Sequence, residues 1–328
     1  MDEQNNWAAA LNPDIERVSD LATHIKAEIQ KMVVGQDEVL DLLIAGVLAG
    51  GHILLEGVPG IAKTLTAKLL ARTFDARFTR IQFTPDLMPT DVTGTTVFNM
   101  KTAEFTFNKG PIFSNVVLID EINRAPAKTQ ASLFEVMEER QVSIDGITYG
   151  MEYPFFVLAT QNPIEQEGTY KLPEAQLDRF LFKINLDYPT IEEEKLILRR
   201  FRADFAQHQL QDVQAVMTAE DLRFTQNIIQ NVFIKDELLD YIAAIIHATR
   251  HHPDLFLGAS PRASLAILRT AKAVAAMRRR EFVTPDDIRY VSYPVLNHRI
   301  ILTPERDMEG ITAKEVIKTI VESIEVPR

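Results

Sequence analysis

Apolar and polar residues between positions 13 and 49 recur at helical spacing, and the pattern breaks at Val33-Val34-Gly35, which predicts two helices. The texture then shortens. His52-Ile53-Leu54-Leu55-Glu56 is an apolar run of strand length, followed by a Gly/Pro turn and a helix to about Arg72. Similar short runs recur at Phe78 to Phe83, Val116 to Ile119, Phe155 to Thr160 and Leu181 to Leu186, with helical segments such as Lys128 to Arg140 between several of them. Strands alternating with helices predict an α/β core: a parallel sheet flanked by helices. Two stretches interrupt the alternation. Residues 84 to 115 carry two β-like runs, Thr95 to Phe98 and Glu104 to Phe107, among Pro and Gly, and residues 141 to 150 read as a hairpin turning at Asp145-Gly146. Both are expected to project from the sheet.

Beyond Tyr188-Pro189-Thr190 the strand signals fade. Helical patterns follow at about 190–207, 218–230, 235–252, 261–280, 284–292 and 311–324, with capping-box sequences at Thr190/Glu193 and at Thr284-Pro285. The expectation is an α/β domain over 1–189, including N-terminal helices over 13–49 and an insertion over about 84–115, then an all-helical domain over 190–328.

Composition narrows the class. At 328 residues, 46% hydrophobic and 25% charged, the chain has the make-up of a globular protein with two cores. Its longest uncharged apolar run, Leu42 to Leu55, is interrupted by glycines and is shorter than the ~20 residues of a bilayer-spanning helix, so no membrane insertion is expected. The start Met1-Asp2-Glu3-Gln4-Asn5-Asn6 lacks a signal-peptide pattern, and cysteine is absent; a cytoplasmic location is expected. The formal net charge of −11 argues against a broad nucleic-acid footprint. The one dense cationic cluster, Arg278-Arg279-Arg280, stands where a helix ends and suits that helix's carboxyl terminus.

Candidate chemistry begins at Gly57-Val58-Pro59-Gly60-Ile61-Ala62-Lys63-Thr64, between a strand and a helix. Glycines there let backbone N–H groups turn toward phosphate oxygens, and the helix amino terminus adds positive potential. Lys63 would reach the β- and γ-phosphates, and the Thr64 hydroxyl would face Mg²⁺. Ala62 replaces the second glycine of the strict pattern, which is compatible with right-handed helical dihedrals at that position. Val116 to Ile119 is an apolar strand ending in Asp120-Glu121: one carboxylate for the metal, one to polarise water. The strand Phe155 to Thr160 delivers Gln161-Asn162, an amide placed to orient that water. Ser260-Pro261-Arg262 reads as an N-cap, a first-turn proline and an arginine that either is a solvated surface residue or reaches a γ-phosphate from the second domain.

With those elements in order, the sequence resembles the AAA+ ATPases, and within them the MoxR family. The resemblance covers nearly the whole chain. It is carried by Glu56 through Thr64, Asp120-Glu121-Ile122-Asn123-Arg124-Ala125-Pro126, Ala159-Thr160-Gln161-Asn162-Pro163, Glu165-Gln166-Glu167-Gly168-Thr169-Tyr170 and Leu172 through Phe180. It implies Walker A roles for Lys63 and Thr64, Walker B roles for Asp120 and Glu121, sensor 1 for Asn162 and sensor 2 for Arg262. Val34-Gly35-Gln36 resembles the segment lining adenine, and Arg179 the arginine finger acting on a neighbouring subunit's ATP, with Arg124 as the other intersubunit candidate. The 84–115 insertion resembles the helix-2 insert of this branch, and the carboxyl region its helical lid. ATP with Mg²⁺, a homo-oligomeric ring (typically a hexamer) and chaperone-like work beside a partner bearing a von Willebrand type A domain are also implied.

Rival readings remain at this stage: a nucleotide-regulated binding module with incidental turnover, or a nucleic-acid motor. A GTPase fits less well, since Asn108-Lys109 continues into Gly110-Pro111 rather than a guanine-reading segment. His247 and His251 have i, i+4 spacing and His252 follows, but without the carboxylate pattern of a metalloprotease, and helix-end histidines are the expectation.

Overall fold

The computed structural model describes residues 12–58, 60–101, 103–163, 169–202 and 212–327. Pro59, the stretch Glu165 to Gly168 and the helical expectation beyond residue 202 lie outside them. The chain opens with α1 (Pro13–Gln30) and α2 (Asp37–Leu48), then β1 (His52–Gly57) and α3 (Lys63–Thr73). Next come β2 (Phe78–Gln82), α4 (Pro89–Thr93), the hairpin β3 (Gly94–Asn99) and β4 (Glu104–Lys109), and β5 (Val116–Asp120). A single 3₁₀ turn (Ile122–Arg124) leads into α5 (Ala127–Glu139), a second hairpin β6 (Gln141–Ile144) and β7 (Ile147–Gly150), β8 (Phe156–Gln161), α6 (Glu174–Leu177) and β9 (Phe180–Leu186).

These strands make a five-stranded parallel sheet in the order β2-β5-β8-β1-β9. The central strands are buried on both faces: Val116 to Ile119 and Val157 to Ala159 are all fully covered, which is why they read as continuous apolar runs rather than alternating ones. Parallel strands connected by crossovers place every carboxyl end at one edge of the sheet, where loops converge on a crevice. Both hairpins stand apart as two-stranded ribbons. The second turns at Asp145 (φ 52°) and Gly146 (φ 79°), the left-handed pair that a two-residue hairpin requires. At the first, Phe98 stacks obliquely on Phe105 at 5.0 Å, and Met100 is 88% exposed.

Beyond Pro189 run α7 (Ile191–Phe201), α8 (Ala219–Asn231), α9 (Asp236–His251), β10 (Leu255–Leu257), α10 (Pro261–Met277), α11 (Pro285–Leu296), β11 (Ile301–Leu302), α12 (Pro304–Met308) and α13 (Ala313–Ser323). The region is helical as expected, with one addition: β10 and β11 pair into a small antiparallel ribbon. Two and three residues are too few for an alternation to register in the sequence. The arginines after α10 are held by carboxylates: Arg278 and Arg280 both pair with the fully buried Asp287 (3.1 and 2.6 Å), and Arg279 pairs with Asp20 (2.8 Å). His247 and His251 stack on each other at 4.3 Å along α9. Among the described residues no helix is long and apolar enough to cross a membrane.

Two buried histidines sit where β1 and β9 begin. His52 accepts from Val157 N (2.9 Å) and donates to Met137 O (3.0 Å), and burial pushes its pKa from 6.5 down to about 4. His298 meets Phe180 O at 3.0 Å, and burial lowers its pKa well below the ordinary value, with Arg299 beside it adding to the effect. Between the unfolded and folded pKa values the unfolded chain binds protons that the folded histidines do not, so their contribution is complete above about pH 6.5 and, for His52, is lost as pH falls toward about 4. The melting temperature is therefore expected to drop between about pH 7 and about pH 5, with a shallower slope in His52→Gln. Equal slopes in thermal melts of the two proteins would contradict this.

Candidate functional site: a phosphate loop at the carboxyl ends of the sheet

Three neighbouring strands end at the same crevice. β1 delivers the loop from Gly57, β5 delivers Asp120 and Glu121, and β8 delivers Gln161 and Asn162. Lys63, first residue of α3, turns its ammonium back to the carbonyls of Gly57 and Gln161, the latter at 3.3 Å. Thr64 donates its hydroxyl to the Asp120 carboxylate (3.2 Å to one oxygen, 3.4 Å to the other). Asp120 is only 4% exposed, and Thr160 also donates to it at 3.0 Å. Hydroxyl and carboxylate oxygens meeting in a shielded position are the hard donors that Mg²⁺ takes, and here the loop supplies the hydroxyl and the end of β5 the carboxylate. These residues fit that ion and a polyphosphate.

Glu121 lies one residue beyond, in a left-handed conformation (φ 58°, ψ 53°) that aims it away from the strand direction. Its backbone N–H is held by Thr160 Oγ1 at 3.0 Å. Gln82 Nε2 donates to its carboxylate at 2.9 Å, and Arg124 stands 3.2 Å away. Asn162 is 5% exposed at the end of β8, beside the same crevice.

The loop backbone corrects one expectation. Ala62 is not right-handed helical; it has φ 63° and ψ 17°. A Cβ in this region costs roughly 1 kcal/mol, which glycine avoids. The tight reversal from Gly60 (φ 87°) into α3 imposes the conformation, and no residue pattern distinguishes it from a helix start. Ile61 fills the space beside Gly57, where an added Cβ would come within 2.4 Å of the Ile61 side chain and 2.8 Å of Leu186 O.

Val34-Gly35-Gln36 lies against this loop, with Gln36 Nε2 donating to Ile61 O at 3.3 Å. The other side-chain atom, Gln36 Oε1, is buried and accepts no hydrogen bond among the described residues, leaving an open acceptor next to the phosphate loop. Gly35 is favoured by its left-handed conformation (φ 70°), and an added Cβ would fall 1.9 Å from Glu193 Oε1, the movable end of that side chain. Glu193 closes the α7 capping box with Thr190. The backbone and hydroxyl of Thr190 hold its carboxyl below the usual range, with Gln36 N adding to them. The capping box is legible in the sequence; its reach across to Gly35 is not.

Two arginines are elsewhere. Arg179 immediately precedes β9, and β9 pairs with β1 from His52↔Phe180 onward, so Arg179 sits at the amino end of the sheet. Six residues of β1 place it roughly 17–20 Å from the phosphate loop. Arg262 is at that same end, donating to Glu138 at 2.8 Å, while Arg179 approaches the same carboxylate at 3.7 Å and donates to Phe134 O. Arg262 therefore does not meet the phosphate loop of its own chain, contrary to expectation. The reason is the anchorage of α10: its N-cap Ser260 donates to Asp178 (3.0 Å), and Asp178 accepts from the buried Arg299 (2.7 Å), which pins the helix start to the amino end of β9.

Sequence reasoning missed Arg80, Gln82, Thr160 and Glu138. Arg80 and Gln82 carry a faint signal, as polar residues two apart on one face of a short strand beside β5. Arg80 Nε donates to Asp120 at 2.6 Å and its other nitrogen to Gln82 Oε1 at 3.0 Å.

Comparison with known proteins agrees with this geometry. Residues 52–182 match the ATPase family associated with various cellular activities (AAA), and residues 247–320 match the AAA lid domain. Chaperone MoxR1 of Mycobacterium tuberculosis is 44% identical over 92% of this chain and 81% of its own length. The chain belongs to the MoxR family of AAA+ ATPases. Protein YeaC of Bacillus subtilis is 47% identical over 91% of this chain and 92% of its own. A crystal structure from Cytophaga hutchinsonii, 43% identical, superposes with a TM-score of 0.88 over 96% of this chain and 98% of that one. The MoxR-type architecture is thus an AAA domain with a parallel sheet, followed by a helical lid.

The loop conformation is testable. Ala62→Gly should stabilise the folded protein by up to about 1 kcal/mol in urea unfolding, since glycine is at ease at φ 63°. A loss of about 0.5–1 kcal/mol, as glycine causes within a right-handed helix, would contradict the left-handed assignment.

Proposed function

We propose that the chain hydrolyses Mg-ATP as a head-to-tail homo-oligomeric ring and uses the cycle for chaperone-like remodelling of a partner protein. The observation that carries this reading is the separation of the charges the reaction needs. Lys63, Thr64, Asp120, Glu121 and Asn162 gather at the carboxyl end of the sheet, while Arg179 and Arg262 share Glu138 at the amino end. A single chain cannot bring both sets to one phosphate across a strand length. A heterologous interface, in which one copy's arginine end meets the next copy's phosphate loop, brings them together, and repetition of such an interface closes a ring.

Within that arrangement Lys63 and the loop backbone hold the β- and γ-phosphates, and Glu121 orients the attacking water with Asn162 beside it. Thr64 and Asp120 would hold Mg²⁺, which when bound would supply charge that neutralises the phosphate oxygens. Arg179 and Arg262 of the adjacent copy stabilise the charge that develops on the transferred group, a contribution worth about 10³–10⁵ in turnover for arginines of this kind. Val34, Gly35 and Gln36 line the base, where Gln36 Oε1 offers an acceptor. Resemblance to Chaperone MoxR1 supports the chaperone-like role, and a partner with a von Willebrand type A domain is the partner class proposed.

The substitutions separate binding from turnover. Lys63→Ala should abolish binding of a fluorescent ATP analogue, whereas Glu121→Gln should bind it and lose at least about 100-fold in hydrolysis. Specific activity of the native chain should also fall on dilution, as copies separate. Hydrolysis by Glu121→Gln equal to the native rate, or an activity independent of concentration down to dissociated chains, would overturn the proposal.

A further inference from the structure

The proposed reading assigns Asp120 to a metal ion, but the fold already supplies Asp120 with a cation. Arg80 Nε donates to Asp120 Oδ2 at 2.6 Å, closer than either hydroxyl that touches this carboxylate. Thr64, the other residue facing the metal, approaches the same oxygen at 3.4 Å. Thr64 is nearer the other oxygen, Oδ1, at 3.2 Å, so Arg80 and the metal position share one carboxylate rather than one oxygen atom.

The two partners are unequally held. The Asp120 side chain is 6% exposed and is fixed by Thr160 and Thr64. That of Arg80 is 44% exposed and leaves β2, the edge strand of the sheet. A buried carboxylate without a counter-charge is costly, whereas a guanidinium on a flexible stem returns to water with little penalty. We propose that Arg80 is a built-in counter-charge for Asp120, and that an arriving divalent cation competes with it for the carboxylate.

Displacement has a consequence for the second carboxylate. Arg80 Nη2 donates to Gln82 Oε1 (3.0 Å), and Gln82 Nε2 donates to Glu121 (2.9 Å). When Arg80 leaves, the Gln82 amide loses the donor that fixes its orientation, and Glu121 loses the rigid placement of one of its partners. Occupancy of the metal position is thereby linked to the orientation of Gln82, one of the groups on Glu121, while Arg124 keeps its contact at 3.2 Å. Sequence position alone gives Arg80 no role; the register Arg80↔Leu118 and Gln82↔Asp120 brings its side chain alongside the end of β5.

This inference rests on the metal assignment of the proposed function, and the test separates the two. Mn²⁺ is titrated into the full chain saturated with ADP, and free Mn²⁺ is read by electron paramagnetic resonance. Charged hydrogen bonds of this type are worth enough that removing the competitor should lower the half-saturating Mn²⁺ concentration about tenfold in both Arg80→Gln and Arg80→Ala. Arg80→Lys, which keeps the competing charge, should stay within about threefold of the native chain. Asp120→Asn should weaken Mn²⁺ binding in every background. Unchanged or weaker Mn²⁺ binding in Arg80→Gln and Arg80→Ala, with Asp120→Asn still damaging, overturns the inference alone and makes Arg80 a group that orients Asp120. Native-like Mn²⁺ binding by Asp120→Asn overturns the metal assignment and the inference together.

Discussion

A carboxylate withdrawn from water has to be compensated by whatever surrounds it, and Asp120 organises the carboxyl end of the sheet on that requirement. Thr64 from the phosphate loop, Thr160 from β8 and Arg80 from β2 all direct donors to it. Each comes from a different element, so a single buried charge ties the loop to three neighbouring strands. Thr160 does a second task by holding the backbone N–H of Glu121, which fixes the left-handed turn that carries its carboxylate. The placements of the Asp120 and Glu121 carboxylates are therefore outcomes of one hydrogen-bond network rather than separate features.

The same parallel sheet that concentrates these groups also makes the chain's two ends chemically different. Carboxyl ends of strands hold the phosphate loop and its carboxylates; amino ends hold Arg179, Arg262 and Glu138. Arg299, almost wholly buried, locks the second end by bonding Asp178 and the carbonyls of Leu181 and Phe180. Asp178 in turn holds Ser260 at the start of α10. One arginine from the sheet and one from the lid are thus presented as a unit. Such polarity favours head-to-tail association over a two-fold dimer, because the complementary surfaces are not on the same face.

Much of this was legible in the residues. Continuous apolar runs gave the strands because a doubly covered parallel sheet leaves no polar alternation to read, and Thr190/Glu193 and Ser260-Pro261 gave helix starts because capping is local chemistry. Contacts that depend on tertiary placement were not. Arg80 looks like any exposed strand arginine until β2 is laid beside β5, and Glu138 looks like a solvated helix residue until α10 arrives above it. The conformation of Ala62 was misread for a related reason: a left-handed alanine follows from closure of the loop, which the one-dimensional pattern does not encode. Arg262 lies away from its own chain's phosphate loop, where it was expected, because its sequence context fixes the helix start but not where that helix docks.

The central claim is that hydrolysis needs two chains, one giving the phosphate loop and the other the arginines. Mixing Lys63→Ala with Arg179→Ala tests it most directly, since each variant keeps what the other lacks. Each should be nearly inactive alone, with Arg179→Ala down by about 10³ or more. Assembled together they should recover ATPase activity well above the sum of the two. Mixed assemblies that never exceed the isolated variants would contradict the account.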